Sequence, residues 1–109
     1  MEEMDVRSFM KKIPEYFNPE KARGVTAVIL CLFTGEQGSN WVITIEDQEC
    51  KVYEGIANDP DITIKAKAET GVKLLTGEID PMRAFLLGKV KVSGDMTLGM
   101  KLVDFFDRP

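Results

Sequence analysis

Gly77 to Leu102, GEIDPMRAFLLGKVKVSGDMTLGMKL, sets a helix, a strand and the start of a second helix end to end with almost no residues to spare. Each join carries its own punctuation. Asp80 is placed to cap a helix, and Pro81 takes the first helical position, where a missing N–H costs nothing. Gly88 ends that helix as a left-handed cap. Lys89, Val90, Lys91 and Val92 alternate polar and apolar, the period of a strand with one face in water. Gly94 breaks the strand, and Asp95 caps the next helix.

Upstream, Val6, Phe9, Met10 and Ile13 fall at i, i+3, i+4 and i+7, one face of an amphipathic helix that Pro14 ends or kinks. PEYFNPEKARG reads as a turn or short irregular helix with Tyr16 and Phe17 as anchors and Asn18-Pro19 as a restart. Thr26 to Phe33 is almost wholly apolar and predicts a strand buried on both faces. TGEQGSN is a loop. Trp41, Ile43 and Ile45 alternate with Val42, Thr44 and Glu46 in a second strand, and Asp47-Gln48-Glu49 turns the chain into a third, Cys50 to Glu54, making a meander. With strand two in the middle, Cys31 and Cys50 sit about 9.5 Å apart, beyond the reach of a disulfide, and are expected as free thiols. After a turn at Asn58-Asp59-Pro60-Asp61, Ile62 to Lys67 alternates cleanly. Glu69 to Thr76 is a short helix with Val72 and Leu75 inward, weakened by Gly71.

The chain has 109 residues, 44% hydrophobic and 29% charged, the range of an ordinary globular domain, and no repeat, linker or low-complexity segment divides it. At this size roughly two-thirds of the unfolded chain's surface is hidden on folding, enough for a core without staples. A net charge of −4 and a pI of about 4.8 argue against a nucleic-acid binder, whose affinity rests on neutralised phosphates. No apolar run approaches the ~18 residues of a membrane span, and MEEMDV carries acid where a signal peptide needs base, so a soluble, cytoplasmic protein is expected.

Enzymatic chemistry finds little to work with. The sequence has no histidine, hence no histidine-based triad, shuttle or imidazole metal site. Neither cysteine has a candidate base or a metal-ligand spacing. Asp80 and Asp95 read as caps rather than an acid/base pair, and Glu46, Asp47, Asp59 and Asp61 as turn residues making local hydrogen bonds. No glycine-rich run has phosphate-loop or dinucleotide spacing. No catalytic residue, cofactor or metal is expected.

The last helix carries the most informative pattern. At 100° per residue, Leu98, Gly99, Met100, Leu102, Val103, Phe105 and Phe106, with Met96 before them, cover an arc of about 220°, about twice what a surface helix packing on one sheet uses. Such a helix meets something apolar on a second side: another helix, a partner chain or a bound lipid. Met82, Met96 and Met100, on the two helices flanking the last strand, are either core filling or an adaptable pocket lining. If the strands carrying them are adjacent, Lys65, Lys67, Lys89 and Lys91 share one outer surface. That surface is either a solvated, aggregation-resistant face or a patch for phosphate headgroups and an anionic membrane.

NDPDITIKA followed by TGEIDPMRAFLLGKVKVSGDMTLGMKL resembles the sterol carrier protein type two domain, the non-specific lipid-transfer family. Its Pro-Asp strand start corresponds to Pro60-Asp61, its Asp-Pro-x-x-Ala-Phe helix to Asp80-Pro81 with Ala84-Phe85, and its Gly-Lys-x-x-x-x-Gly-Asp strand to Gly88-Lys89 with Gly94-Asp95. The first half matches in outline through the helix, Pro14, Tyr16-Phe17-Asn18 and the meander. The resemblance implies an α+β fold: a five-stranded mixed sheet, built as a three-strand meander, a crossover and two further strands, with helices covering one face. It also implies an apolar tunnel between sheet and helices for a fatty acid, fatty acyl-CoA, sterol or phospholipid. Gly71 and Val72 stand where similar domains often have bulkier residues. The final Asp107-Arg108-Pro109 differs from the Ser-Lys-Leu-type peroxisomal address found in some members.

The resulting expectation is one lipid-binding domain over residues 1–109, monomer or homodimer, without covalent chemistry. Apolar positions on the sheet-covering elements supply the lining candidates: Phe9, Ile13, Met82, Phe85, Leu86, Met100, Val103 and Phe106. The alternatives are a non-catalytic dimerisation or interaction module, and an accessory that presents a lipid substrate to a separate enzyme.

Overall fold

The computed structural model describes residues 5–36, 38–76 and 78–107, with side chains at 75 and 76 left aside. The expectations for the N-terminal MEEM, for Leu75 and for Arg108-Pro109 lie outside the described residues.

Helix α1 (Val6–Tyr16) begins where the Asp5 carboxylate accepts the Ser8 N–H at 2.7 Å. Its periodic face, Val6, Phe9, Met10 and Ile13, is buried to 3% exposure or less. Pro14 does not end the helix at once. It lacks only the N–H that would reach back one turn, and two more residues follow before the Phe17 N–H closes on the Pro14 carbonyl at 3.3 Å. Asn18 then caps a 3₁₀ turn over Pro19–Ala22 through the Glu20 N–H.

Five strands follow: β1 (Ala27–Thr34), β2 (Asn40–Glu46), β3 (Glu49–Glu54), β4 (Ile62–Lys67) and β5 (Val90–Gly94), in the spatial order β3-β2-β1-β4-β5. All pairs are antiparallel except β1 with β4, which is parallel. The first three strands are the expected meander, and the chain crosses to the far side of β1 for the last two. The β2–β3 turn tightens to Asp47 and Gln48 alone, both left-handed with φ of 51° and 61°, the conformation of a two-residue hairpin. The third strand therefore begins at Glu49. Gln48 is held by a 3.0 Å bond from its side-chain amide to the Pro19 carbonyl.

Strand alternation sorts the sheet. Ala27, Ile29, Cys31 and Phe33 share a face with Trp41, Ile43 and Ile45 and with Ile62, Ile64 and Ala66. The core lies between this face and the helices. Leu30 and Val42, directly paired on the other face, are also buried, so β1 is covered on both sides near its centre. Both cysteines are free, on β1 and β3 with β2 between them.

Three helices complete the layer: α2 (Ala68–Thr76) on β1 and β4, α3 (Pro81–Leu86) on β5, and α4 (Met96–Leu102) across β4 and β5. Gly71 has a purpose that helix propensity misses. A Cβ there would run into the Phe33 ring, so the glycine lets α2 sit directly on β1. At the end of β5, Gly94 adopts φ +104° and a Cβ would stand 2.5 Å from the Asp61 carbonyl oxygen. This close approach lets the Asp95 N–H reach the same carbonyl at 2.8 Å.

The last helix is shorter than its pattern predicts. It tightens to a 3₁₀ turn over Val103–Phe105, and Phe106 is extended, bridging antiparallel to Phe17. A 100° step therefore does not hold to Phe106, and the wide arc is divided. Leu98 and Phe105 are buried, Leu102 and Phe106 are half-buried, and Met96, Met100 and Val103 face solvent.

Candidate functional site

Helix α3 is short and well bounded. The Asp80 carboxylate accepts the Arg83 N–H at 3.2 Å, and Pro81 occupies the first turn. At the other end the Lys89 N–H reaches the Ala84 carbonyl at 2.9 Å and the Gly88 N–H reaches that of Phe85 at 3.1 Å, with Gly88 at φ +75°. This pair of bonds is a Schellman closure. The residue that seats α3 on the sheet is small: Ala84 is fully buried against Ala66 and Val90. Its large apolar residues turn outward, Met82 50%, Phe85 40% and Leu86 75% exposed, followed by Leu87 at 64%.

Helix α4 repeats the design. Asp95 caps it through the Leu98 N–H at 3.0 Å. Leu98 is buried and Gly99 lies against Ile62, bringing the helix axis close to the sheet, while Met96, Met100 and Val103 remain about half or more exposed. Among the described residues, seven of the nine exposed large hydrophobics belong to 82–103, on the two helices over β5 and their immediate ends. Scattered apolar exposure is ordinary, but this concentration is not.

Beneath these helices, Ile64 of β4 and Val92 of β5 are direct cross-strand partners on the helix-covered face, yet both are only half-buried. They touch the main core on one side and the small Ala66–Ala84–Val90 cluster on the other. Ile64 and Val92 thus mark a seam between the footings of α3 and α4 that neither cluster buries fully.

The eight lining candidates divide. Met82, Phe85 and Leu86 stand on α3, and Met100 and Val103 on α4 and the turn after it, all exposed. Phe9 and Ile13 are in the closed core at 1% exposure, and Phe106 packs against Phe17 with ring centroids 5.7 Å apart. Ile64 and Val92, the seam's floor, and Leu87 were not singled out from sequence. The Leu86-Leu87 doublet before a helix-ending glycine was the signal for Leu87, because a residue at that position follows the last helical turn and has no neighbour to bury it.

Two open depressions lie at the adjoining corner, and none of the eight candidates lines either of them. One, of about 620 Å3, is lined by residues including Lys65, Lys67, Lys89 and Lys91, so the four lysines do share one surface. The second, of about 490 Å3, shares Ile79 and Lys89 with it and extends to Arg83 and Leu87. Burial pushes the Cys31 thiol up to about 12 and that of Cys50 up to about 11, keeping both protonated and unreactive near neutral pH. Among the described residues no cluster of acids and cysteines could hold a metal ion, and no helix is long and apolar enough to cross a membrane.

Solved structures share this architecture. Sterol Carrier Protein 2 Like 2 from Aedes aegypti, in its palmitated form, superposes with a TM-score of 0.75 at 25% identity over 93% of each chain. A segment making up 16% of the stereoselective inverting sec-alkylsulfatase of a Pseudomonas species has the same fold, with a TM-score of 0.82 at 18% identity over 94% of this chain. Hydroxysteroid dehydrogenase-like protein 2 from Rattus norvegicus is 29% identical over 98 residues, 89% of this chain. The chain spans only about a fifth of that relative's length, 19%. A sequence model of the SCP-2 sterol transfer family matches residues 10–107, nearly everything described above, and the protein belongs to that family.

Proposed function

We propose that the chain acts as a single lipid-binding domain that shields one hydrophobic ligand (a fatty acid, fatty acyl-CoA, sterol or phospholipid) without covalent chemistry. The site proposed is the seam above Ile64 and Val92. The observation that carries this reading is the concentration of exposed apolar side chains on α3 and α4, on either side of the half-buried Ile64–Val92 pair. Met82, Phe85, Leu86, Met100 and Val103 close over the ligand, while Phe9, Ile13 and Phe106 belong to the packed core rather than to this site. Helix α3 is suited to this. It is capped at both ends and footed on one alanine, so it can tilt as a unit to admit a chain without losing its own hydrogen bonds. A dozen methylenes at about 0.8 kcal/mol each give ample gross driving force, from which ordering costs are subtracted.

Native mass spectrometry of protein from cells, followed by displacement of a fluorescent fatty acid, tests the reading. Met100→Glu should keep the parent's thermal stability, because that side chain is already 66% exposed, and lose displacement. No co-purified lipid and no saturable displacement at micromolar protein would overturn it. A fully ligand-free protein that dimerises with rising concentration would instead favour an interaction module.

A second reading rests on length. Because the chain corresponds to a fifth of its dehydrogenase-like relative, the same seam could present a lipid to a catalytic partner, which pull-down with and without bound lipid would show.

A further inference from the structure

Lys65 of β4 stands directly opposite Lys91 of β5, and Lys67 and Lys89 flank the next registered pair, Ala66–Val90, on the same outer face. Like charges directly opposite each other on neighbouring strands are unfavourable. Neither of the ion pairs described, Arg7–Glu54 and Arg23–Glu20, involves any of these four lysines. Together they line an open depression in which Glu69 is the one acid, in a protein whose net charge is −4. Edge protection accounts for Lys89 and Lys91 on or beside the edge strand β5, but not for Lys65 and Lys67 on β4, which is paired on both sides.

The neighbouring surface supplies the second element. The Schellman closure at Gly88 brings the chain from Leu86 and Leu87, two of the most exposed apolar residues described, directly into Lys89. The lysine depression and the one reached by Leu87 share Lys89 and Ile79, and the second is also lined by Arg83 and by two acids, Glu78 and Asp80, the latter engaged as the α3 cap. Apolar tips beside these lysines form a surface with two complementary chemistries, one for acyl chains and one for headgroup phosphates and carboxylates.

We propose that the α3–β5 corner is the surface by which the protein docks on an anionic bilayer, with Leu86 and Leu87 entering the headgroup boundary and Lys65, Lys67, Lys89 and Lys91 lying against the headgroups. This deepens the lipid-binding reading, since it would bring the α3 side of the seam to the membrane from which a ligand is drawn, but the docking can be measured without it.

Sedimentation of the full chain with phosphatidylcholine vesicles, with and without phosphatidylserine, is the test. Binding should require phosphatidylserine, weaken with added salt and fall about fivefold for each lysine changed to glutamine. Leu87→Ser should weaken it further, while its stability stays near the parent's because the side chain is already exposed. The variant with glutamine at all four lysines should still displace the fluorescent fatty acid in vesicle-free buffer. If it sediments with phosphatidylserine vesicles as the parent does, or if the parent binds inorganic phosphate but no vesicle, the proposal is overturned. Failure of displacement in the parent with vesicle binding intact would remove the carrier reading and leave the docking surface standing.

Discussion

The Asp61 carboxylate accepts the backbone N–H of Val28 at 2.7 Å, while the Asp61 N–H donates to the Val28 carbonyl at 2.9 Å. One residue thus closes the start of the parallel β1–β4 pair from both sides, and its own carbonyl accepts the Asp95 N–H that begins α4. Read as a turn residue with local bonds, Asp61 is instead a junction between two strands and a helix. Asp61→Ala should cost about 1.5–3 kcal/mol, the range for a hydrogen bond to a charged group. Asp61→Asn should retain part of this, because an amide oxygen still accepts. Urea unfolding followed by Trp41 fluorescence reads both.

Gly71→Ala should destabilise the protein although alanine is the better helix former. The gain in propensity is about 1 kcal/mol, against an overpacking cost of about 1–3 kcal/mol where the new methyl meets the buried Phe33 ring. Phe33→Leu in the same chain should recover part of the loss. Equal and additive effects of the two changes in a double-mutant cycle would contradict direct contact.

Removing a cap should weaken the framework of the seam. Asp80→Ala and Asp95→Ala each remove one helix-starting hydrogen bond, to Arg83 and Leu98, and each should cost about 1 kcal/mol by chemical denaturation. Loss of lipid uptake in a capless variant that is still folded at the assay temperature would place α3 or α4 orientation, and not only its side chains, in the binding step.

The buried thiols set an alkaline limit. Their ordinary value is 9.0, and burial raises Cys50 to about 11 and Cys31 to about 12. Between these limits the unfolded chain releases protons that the folded chain keeps, so stability is at its full value below pH 9 and falls as pH rises through 11 and 12. At pH 8 neither thiol should react with a disulfide reagent on the timescale at which the urea-unfolded chain reacts fully. Cys50, half-buried on β3, should open to the reagent before Cys31.

Most of the framework was legible because it is written locally. The caps at Asp80 and Asp95, the closure at Gly88 and the alternation of β4 and β5 each need only three or four neighbouring residues, and the structure places them as read. What escaped depends on a distant partner or a change of local geometry. Gly71 looks like a defect until Phe33, far away in sequence, is above it. Asp61 looks local until β1 lies alongside. The final helix was projected at a constant 100° per residue, but the 3₁₀ tightening after Leu102 rotates its remaining side chains out of that frame. The methionines were weighed as core or lining; Met82, Met96 and Met100 are exposed, so they are not core filling. Spacing shows which residues share a face and not whether anything covers it. The seam is a matter of coverage, so Ile64 and Val92 carried no local mark.

Strand order also has a consequence for how the chain is made. β1, the most apolar strand, sits at the middle of the sheet, yet its two partners come at very different times: β2 follows through a short loop, whereas the β4 side joins only when Asp61, 33 residues after Val28, has been synthesised. A nascent chain that has reached Glu54 can zip its meander but still presents one bare edge of β1, and the loop that must close to cover it is the slow, entropically costly step. The interval between those two pairings is when this protein is most exposed to joining the wrong strand.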